Sequence, residues 1–373
     1  SCNPGPNAII TVHNPQAWIA VCFQGTIGSG ESYMDGHWSA KSLVEVTRFF
    51  VANESMMERM EEGFANIMRR VLKGIGWIHR NTLSGSKKNI RAHYDLGNDL
   101  FKTFLDPKLM YSSALFSSEH SSLSDASVTK LQHICRKLEL HSGDRVLEIG
   151  GGWGGFAIFA AENFACHVTT TTISDEQYEY TRQRIRLMGL DNKVTVLKKD
   201  YRELSGTFDK LVSIEMIEAV GHQFLDTYIK TLSERLNPKG LALIQAITIV
   251  DYRYKLAVDT VDFIKRYIFP GGFLPSIGAI MNSVGEVSDL RLLHLEDFAS
   301  HYARTLSEWR QRFHSQYENI LELGYDDKFI RMWDFYLAYC EGGFAERQLG
   351  LAQLIFAKPD SRVETPHLSF SLR

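Results

Sequence analysis

A chain of 373 residues that is 44% hydrophobic and 23% charged has the composition of a folded protein, with length for one large domain and an accessory region. Its formal net charge of −3 makes nucleic acid a poor partner, and no stretch approaches the roughly 18 uninterrupted apolar residues of a membrane-spanning helix. Five scattered cysteines, Cys2, Cys22, Cys135, Cys166 and Cys340, form no Cys-x-x-Cys pair, which points to reduced thiols in a cytosolic compartment and to no metal site.

The opening SCNPGPNAIITVHN has neither the basic start nor the apolar core of a signal peptide, and the missing Met implies that upstream residues are absent or trimmed. A short β-like stretch, AIITVHN, precedes helical periodicity through residues 40–72, which predicts a small, mostly helical accessory domain over 1–70. Residues 71–90 read as a basic linker. Between Arg69 and Arg91 the chain carries seven Lys and Arg and no acid, interleaved with Val71, Leu72, Ile75, Trp77 and Ile78. Such a segment suits an anionic bilayer surface, at about 1 kcal/mol per nearby cation, and equally suits a solvated helix and linker.

Residues 91–373 form the main domain, and from about 126 onward strands and helices alternate. RVLEIGG, HVTTTTI, KVTVLKKD, FDKLVSIEM and LALIQAITI read as strands; FAIFAAENF, DEQYEYTRQRIRLMG and FLDTYIKTLSERLNPKG read as helices. This spacing predicts a doubly wound, mostly parallel α/β sheet, whose ligands bind at the carboxyl ends of the strands. The long insertion after residue 250, DYRYKLAVDTVDFIKRYIFPGGFLPSIGAI, reads either as a lid over an apolar substrate or as aromatic closure of the core.

Gly150, Gly152 and Gly155 satisfy G-x-G-x-x-G behind the first strand, and the acids Asp175 and Glu176 follow about 20 residues on, a spacing that fits NAD. No Lys-Ser or Lys-Thr follows the glycines, which removes a P-loop. Glu148 moves the reading to S-adenosylmethionine, because a carboxylate at the strand end accepts from an ammonium and repels a pyrophosphate. Ser174 and Gln177 at the second strand end offer neutral partners to ribose hydroxyls. Asp200 and Tyr201 at the third suit an adenine amine and ring face. Trp153 has a packing role beneath the ligand as its plainest explanation.

RAHYDLGNDLF, MYSSALF, LEIGGGWGG, TISDEQ, DYREL, EMIEAVGH, YIFPGGFLPS, HYARTLSEW and RMWDFYLAYCEGGF occur in this order. With them the chain resembles the cyclopropane fatty acid synthases and their mycolic acid cyclopropanating relatives, from about residue 10 to residue 358. The resemblance implies a Rossmann-like class I methyltransferase fold over 91–373 with a lid-like insertion, acting through S-adenosylmethionine. The substrate it implies is the cis double bond of an acyl chain in a membrane phospholipid. There the alkene attacks the sulfonium methyl, a carbocation forms, and a bound bicarbonate takes a proton from the new methyl as the ring closes. A cytoplasmic enzyme held peripherally at the inner face of the membrane follows, with a homodimer left open.

Carried over by position, Tyr111, Ser112, Glu148, Gly150, Gly151, Gly152, Trp153, Gly154, Thr172, Ser174, Gln177, Asp200 and Tyr201 contact the cofactor. Glu218 matches the bicarbonate-holding carboxylate, Tyr302 the family's tyrosine, and Ile247 the backbone amide on the anion. His93 and Tyr94 either line the site or pack its turn. The chain departs from many bacterial synthases in having Ser113 for Cys and Gln245 for His. Gln does not titrate, so a bound anion relies on hydrogen bonds from Ser113, Gln245, Tyr302 and the backbone. The plant-type branch carries Ser and Gln here and still closes rings. The alternatives are a methylene- or methyl-branched product from the same first step, a small-molecule N-methyltransferase, and a catalytically silent binding protein.

Overall fold

The structure, a computed structural model, describes residues 5–53 and 96–363. The basic segment, His93, Tyr94 and the boundaries at 70 and 90 lie outside the described residues. At the N-terminal end β1 (Ile10–Val12) pairs antiparallel with β2 (Trp38–Ala40), and the two flank α1 (Gln16–Met34). Then comes α2 (Leu43–Ala52), where the Ser42 hydroxyl accepts the Glu45 N–H at 3.2 Å as an N-cap. No helix over 16–34 is expected from the sequence, and α1 is broken by a non-helical Gly25 at φ +54°.

Two helices, α3 (Asn98–Phe104) and α4 (Leu123–Lys137), lead into the main sheet. There β3 (Arg145–Ile149), α5 (Gly155–Phe164), β4 (His167–Thr172), α6 (Asp175–Leu187) and β5 (Val194–Lys198) wind one way. The chain then crosses to β6 (Phe208–Ile214), α7 (Leu225–Glu234) and β7 (Leu236–Ile249) on the other side of β3. Beyond β7 lie α8 (Asp251–Asp259), α9 (Ile277–Val287), β8 (Arg291–Asp297), α10 (Ala299–Ser315), α11 (Tyr317–Glu322), α12 (Asp327–Ala345) and β9 (Leu349–Ala357). The seven strands run in the order β5-β4-β3-β6-β7-β9-β8. The first five pair in parallel, and β9 is antiparallel to both its neighbours.

Two boundaries differ from the sequence reading. β6 stops at Ile214, so Glu215 and Met216 belong to the turn behind it. Leu236, expected in a helix, already pairs with Phe208 as the start of β7. The apolar stripes of α4, α5, α7 and α9 cover the sheet, and two clusters fill the space above and below the strands. A third unites Tyr33, Trp38, Leu43 and Val46 with Phe101, Phe104, Trp309 and Trp333, so the described N-terminal elements share a core with α10 and α12. In the insertion Phe263, Ile268 and Phe273 are buried while Tyr252 is 84% exposed; its aromatics largely close the core. The Phe273 N–H donates to the Glu218 carbonyl at 2.9 Å, which ties the insertion to the turn behind β6.

Candidate active site

Strand order reverses between β3 and β6, and ligands of doubly wound sheets bind in the crevice beyond such a point. Behind β3 the chain turns at once through Gly150 at φ +84° and Gly152 at φ +52°, conformations that L side chains rarely adopt. Gly151 is needed for space: a Cβ there would meet Thr170 Oγ1 at 1.9 Å and lie 3.1 Å from Glu148 Oε2. Glu148 itself is 3% exposed, and its Oε2 has no hydrogen-bond partner among the described residues. Burial pushes this carboxyl up to about 7. A buried acceptor left unmatched costs about 1–3 kcal/mol, a cost that a cationic ligand group removes.

The pocket in the crevice is lined from this turn by Glu148, Gly150, Gly151, Gly152 and Trp153. The end of β4 adds Thr172 and Gln177, which are joined by a 2.8 Å hydrogen bond from Thr172 Oγ1 to Gln177 Oε1. Asp200 and Tyr201 contribute from behind β5, where Arg202 grips the Asp200 carboxylate through Nε at 2.8 Å and Nη2 at 2.7 Å. Tyr111 and Ser112 close the near side. Trp153 also has the packing role expected of it, with its indole N–H on Asn98 Oδ1 at 2.6 Å and its ring 4.8 Å from that of Phe101. Gly154 and Ser174 do not line the pocket. Gly154, at φ +81°, caps α5 against Thr181, and Ser174 caps α6 by accepting the Gln177 N–H at 3.3 Å.

Ser113, Gln245 and Tyr302 stand behind the pocket wall, each almost fully buried. All three give a donor to Glu215, which does line the pocket, but Ser113 does so through its backbone alone, its hydroxyl turning to the Ala114 carbonyl at 3.0 Å. Glu215 Oε1 accepts the Ser113 N–H at 2.9 Å and Gln245 Nε2 at 2.7 Å, and Oε2 accepts the Tyr302 hydroxyl at 2.7 Å. The backbone makes this possible: Glu215 has φ +50° and donates its own N–H to the Gln245 carbonyl at 2.7 Å. The Ile247 N–H, expected on an anion, donates to Glu218 Oε1 at 2.5 Å. The donors assigned to a bicarbonate thus end on carboxylates of the chain itself.

Burial raises the Glu215 carboxyl, while Lys130, the Tyr302 hydroxyl, the Ser113 amide and Gln245 oppose the rise. Glu218 has fewer donors, with Oε2 unpartnered among the described residues, and burial followed by repulsion from Glu215 pushes it up to about 8. Lys130 is fully enclosed, donates to Ser112 Oγ at 2.5 Å and is pushed down to about 8 by burial, against the pull of Glu215. The sequence reading named neither Glu215 nor Lys130. Their signals are a second carboxylate three residues before Glu218 and a lysine set in the apolar stripe of α4.

A doubly wound sheet that ends in a glycine turn, an unmatched buried carboxylate and an Asp-Tyr pair at the third strand end defines a class I S-adenosylmethionine-dependent methyltransferase. Comparison with known proteins narrows the class. The family model for mycolic acid cyclopropane synthetase matches residues 82–354, and the chain belongs to that family. It is 37% identical over 358 residues to the cyclopropane-fatty-acyl-phospholipid synthase of Escherichia coli, covering 95% of this chain and 89% of that one. It is 36% identical over 352 residues to the tuberculostearic acid methyltransferase UfaA1 of Mycobacterium tuberculosis, covering 92% and 81%. Among solved structures, the cyclopropane synthase MmaA2 of Mycobacterium tuberculosis superposes with a TM-score of 0.69 at 26% identity, over 73% of this chain and 98% of that one. Mycolic acid cyclopropane synthase CmaA1, solved with S-adenosylhomocysteine and CTAB, gives 0.68 at 26% identity, with the same coverage.

Proposed function

We propose that this protein transfers a one-carbon unit from S-adenosylmethionine to the cis double bond of unsaturated acyl chains in membrane phospholipids and closes a cyclopropane ring, with the Glu215 carboxylate as proton acceptor. The observation that carries the reading is the convergence of Ser113, Gln245 and Tyr302 on Glu215 at the pocket wall. The similarity to a cyclopropane-fatty-acyl-phospholipid synthase supports the substrate class.

Glu148 would hold the amino group of the bound cofactor, Thr172 and Gln177 its ribose, and Asp200 with Tyr201 its adenine. When bound, S-adenosylmethionine supplies an electron-poor methyl carbon to the π pair of the double bond. Tyr111, Trp153 and Met216 give the pocket apolar and aromatic surface that excludes water from the carbocation left on the chain. Glu215 takes a proton from the new methyl, and the C–H pair closes the third side of the ring. A buried carboxylate whose affinity for protons is raised is a stronger base than one in water, and its three donors fix its aim.

The test is incubation with vesicles of unsaturated phospholipid and labelled S-adenosylmethionine, followed by mass spectrometry of the fatty esters. The wild-type protein yields acyl chains heavier by one CH2 with ring-type fragmentation, and Glu215→Ala loses at least 100-fold in rate, within the range of a removed acid–base group. Formate or bicarbonate restores part of the Glu215→Ala rate by refilling the vacated donors. Branched products from wild type, or full activity in Glu215→Ala, overturns the reading.

The basic segment from Arg69 to Arg91 is the proposed contact with the bilayer, at a cytoplasmic membrane surface. Charge reversal at Arg69, Arg70 and Lys73 then weakens co-sedimentation with anionic vesicles, more at low salt than at high. Equal binding by the reversed variant would place the contact elsewhere.

A further inference from the structure

Behind Gln245 the polar contacts continue away from the pocket. Gln245 Oε1 accepts from Gln353 Nε2 at 2.8 Å, and Gln353 Oε1 accepts from Lys137 Nζ at 2.8 Å. Lys137 Nζ also lies 2.8 Å from Glu296 Oε2, which His133 and His294 approach at 3.3 and 3.5 Å. The register explains the alignment. Glu296 of β8 pairs with Gln353 of β9, Gln353 with Gln245 of β7, and Gln245 with Ile214, the residue before Glu215. Directly paired residues of neighbouring strands project from the same face, so a polar row crosses the sheet from its β8 edge to the catalytic turn.

The row has a direction. An ammonium only donates and a carboxylate only accepts, so Lys137 must face the oxygen of Gln353. Gln353 then offers its NH2 to the oxygen of Gln245, and Gln245 offers its NH2 to Glu215. Lys137, Gln353 and Gln245 are each at most 1% exposed, so water does not compete for these bonds. Two glutamines in otherwise apolar strands are costly to bury unless satisfied, and here each amide has both ends matched.

We propose that Lys137 and Gln353 are positioning residues for the reaction, fixing the Gln245 amide with its NH2 toward Glu215 so that the carboxylate stays ionised and aimed. This rests on the reading of Glu215 as proton acceptor. Without Lys137 both amides are free to turn over, and an amide oxygen facing Glu215 favours its protonated form. The other charged or titrating groups facing Glu215 are Lys130, Glu218 and Tyr302; those around Lys137 are Glu296, His133 and His294. None of Lys137, Gln353 and Glu296 lines the cofactor pocket, so their effect reaches the chemistry through the row.

The experiment is a profile of kcat against pH on unsaturated phospholipid vesicles for the full chain, Lys137→Met, Gln353→Leu and Cys135→Ala. Cys135 is a buried residue of the same helix as Lys137 and lies outside the row. Lys137→Met and Gln353→Leu each lower kcat about 10-fold near pH 7 and move its acid limb up by about one pH unit, with the KM for S-adenosylmethionine within about two-fold of wild type. Cys135→Ala leaves the limb in place. Gln353→Leu keeps the Lys137–Glu296 pair and carries the test alone if Lys137→Met does not fold. An unmoved acid limb in the folded variants overturns the proposal. If Glu215→Gln is inactive in the same assay, the reading of Glu215 survives that failure; an active Glu215→Gln removes both.

Discussion

Glu215 sits in the left-handed backbone region, a conformation that costs a non-glycine residue on the order of 1–3 kcal/mol. Its surroundings hold it there, with the backbone N–H on one group of Gln245 and the side chain on another. Glu218, one short turn later, keeps the ordinary conformation and receives a single amide. The unequal donors make Glu218 the readier of the two to hold a proton: burial raises both carboxyls, but Lys130, Tyr302, Ser113 and Gln245 oppose the rise at Glu215, while repulsion from Glu215 adds to it at Glu218. Because the Glu218 carboxyl is raised from its ordinary 4.5 to about 8, the folded state binds a proton that the unfolded chain has released across that window. Stability from this group is present below pH 4.5 and is lost as pH rises toward 8. Glu218→Gln removes the titration, so its urea midpoint should fall less than that of wild type between pH 5 and 8. Parallel curves for the two proteins would refute the assignment of the proton. Glu218, Gln245, Ser113 and Tyr302 were legible in the sequence because their motifs are long. Glu215 was not, because FDKLVSIEM continues the pattern of a strand and only the backbone angle at 215 turns that side chain into the pocket.

Among the elements, β3, β4, β5 and β6 with the helices α5 and α6 lie within a residue or two of their expected places, since β-branched runs and capped amphipathic stretches need little tertiary help. The misplaced boundaries have separate causes: β6 ends at Ile214 because the backbone turns to φ +50° at Glu215. Where a strand is fixed by its neighbour, as Leu236 is by Phe208, pairing overrides the helical pattern of the preceding residues. The unanticipated α1 carries Gly25, Gly28 and Gly30, which weaken any helical signal. Packing accounts for two of them: a Cβ at Gly30 would lie 2.3 Å from the Phe263 ring, and one at Gly28 2.1 Å from the Ala20 carbonyl oxygen. The lysines of α4 show the same limit from the other side. Lys130 and Lys137 are two turns apart within an apolar stripe, a spacing visible in the sequence, but their partners come from distant segments.

For the molecule as a whole, Asp334 of α12 is a joint between the N-terminal elements and the main domain. Its Oδ2 accepts the Tyr33 hydroxyl of α1 at 2.8 Å, and its Oδ1 accepts Arg310 Nε at 2.6 Å and His314 Nε2 at 2.7 Å from α10. Burial works against the charge, but His314 and Arg310 outweigh it and hold the carboxyl at about 2. A depressed carboxyl stabilises the fold above its ordinary 3.8, and that stability is lost as pH falls toward 2. Asp334→Asn should therefore cost about 2 kcal/mol at pH 7, the scale of a hydrogen bond to a charged group, with the difference from wild type shrinking in acid. Denaturant unfolding at pH 7 and pH 3 measures both; a loss that is equal at the two values would rule out the ionic account.

The place of β9 within the sheet bears on the order in which the protein matures. In chain order it is the last described strand, yet it lies inside the sheet between β7 and β8. During synthesis β7, which ends at Ile249, must wait until Leu349 for the start of its partner, with an apolar edge open to wrong pairings in the meantime. Gln353 arrives with that strand, so the polar row behind Glu215 closes only as the sheet does. A half-made chain therefore lacks the bonds that orient the Gln245 amide toward Glu215, and that alignment comes only with the finished sheet.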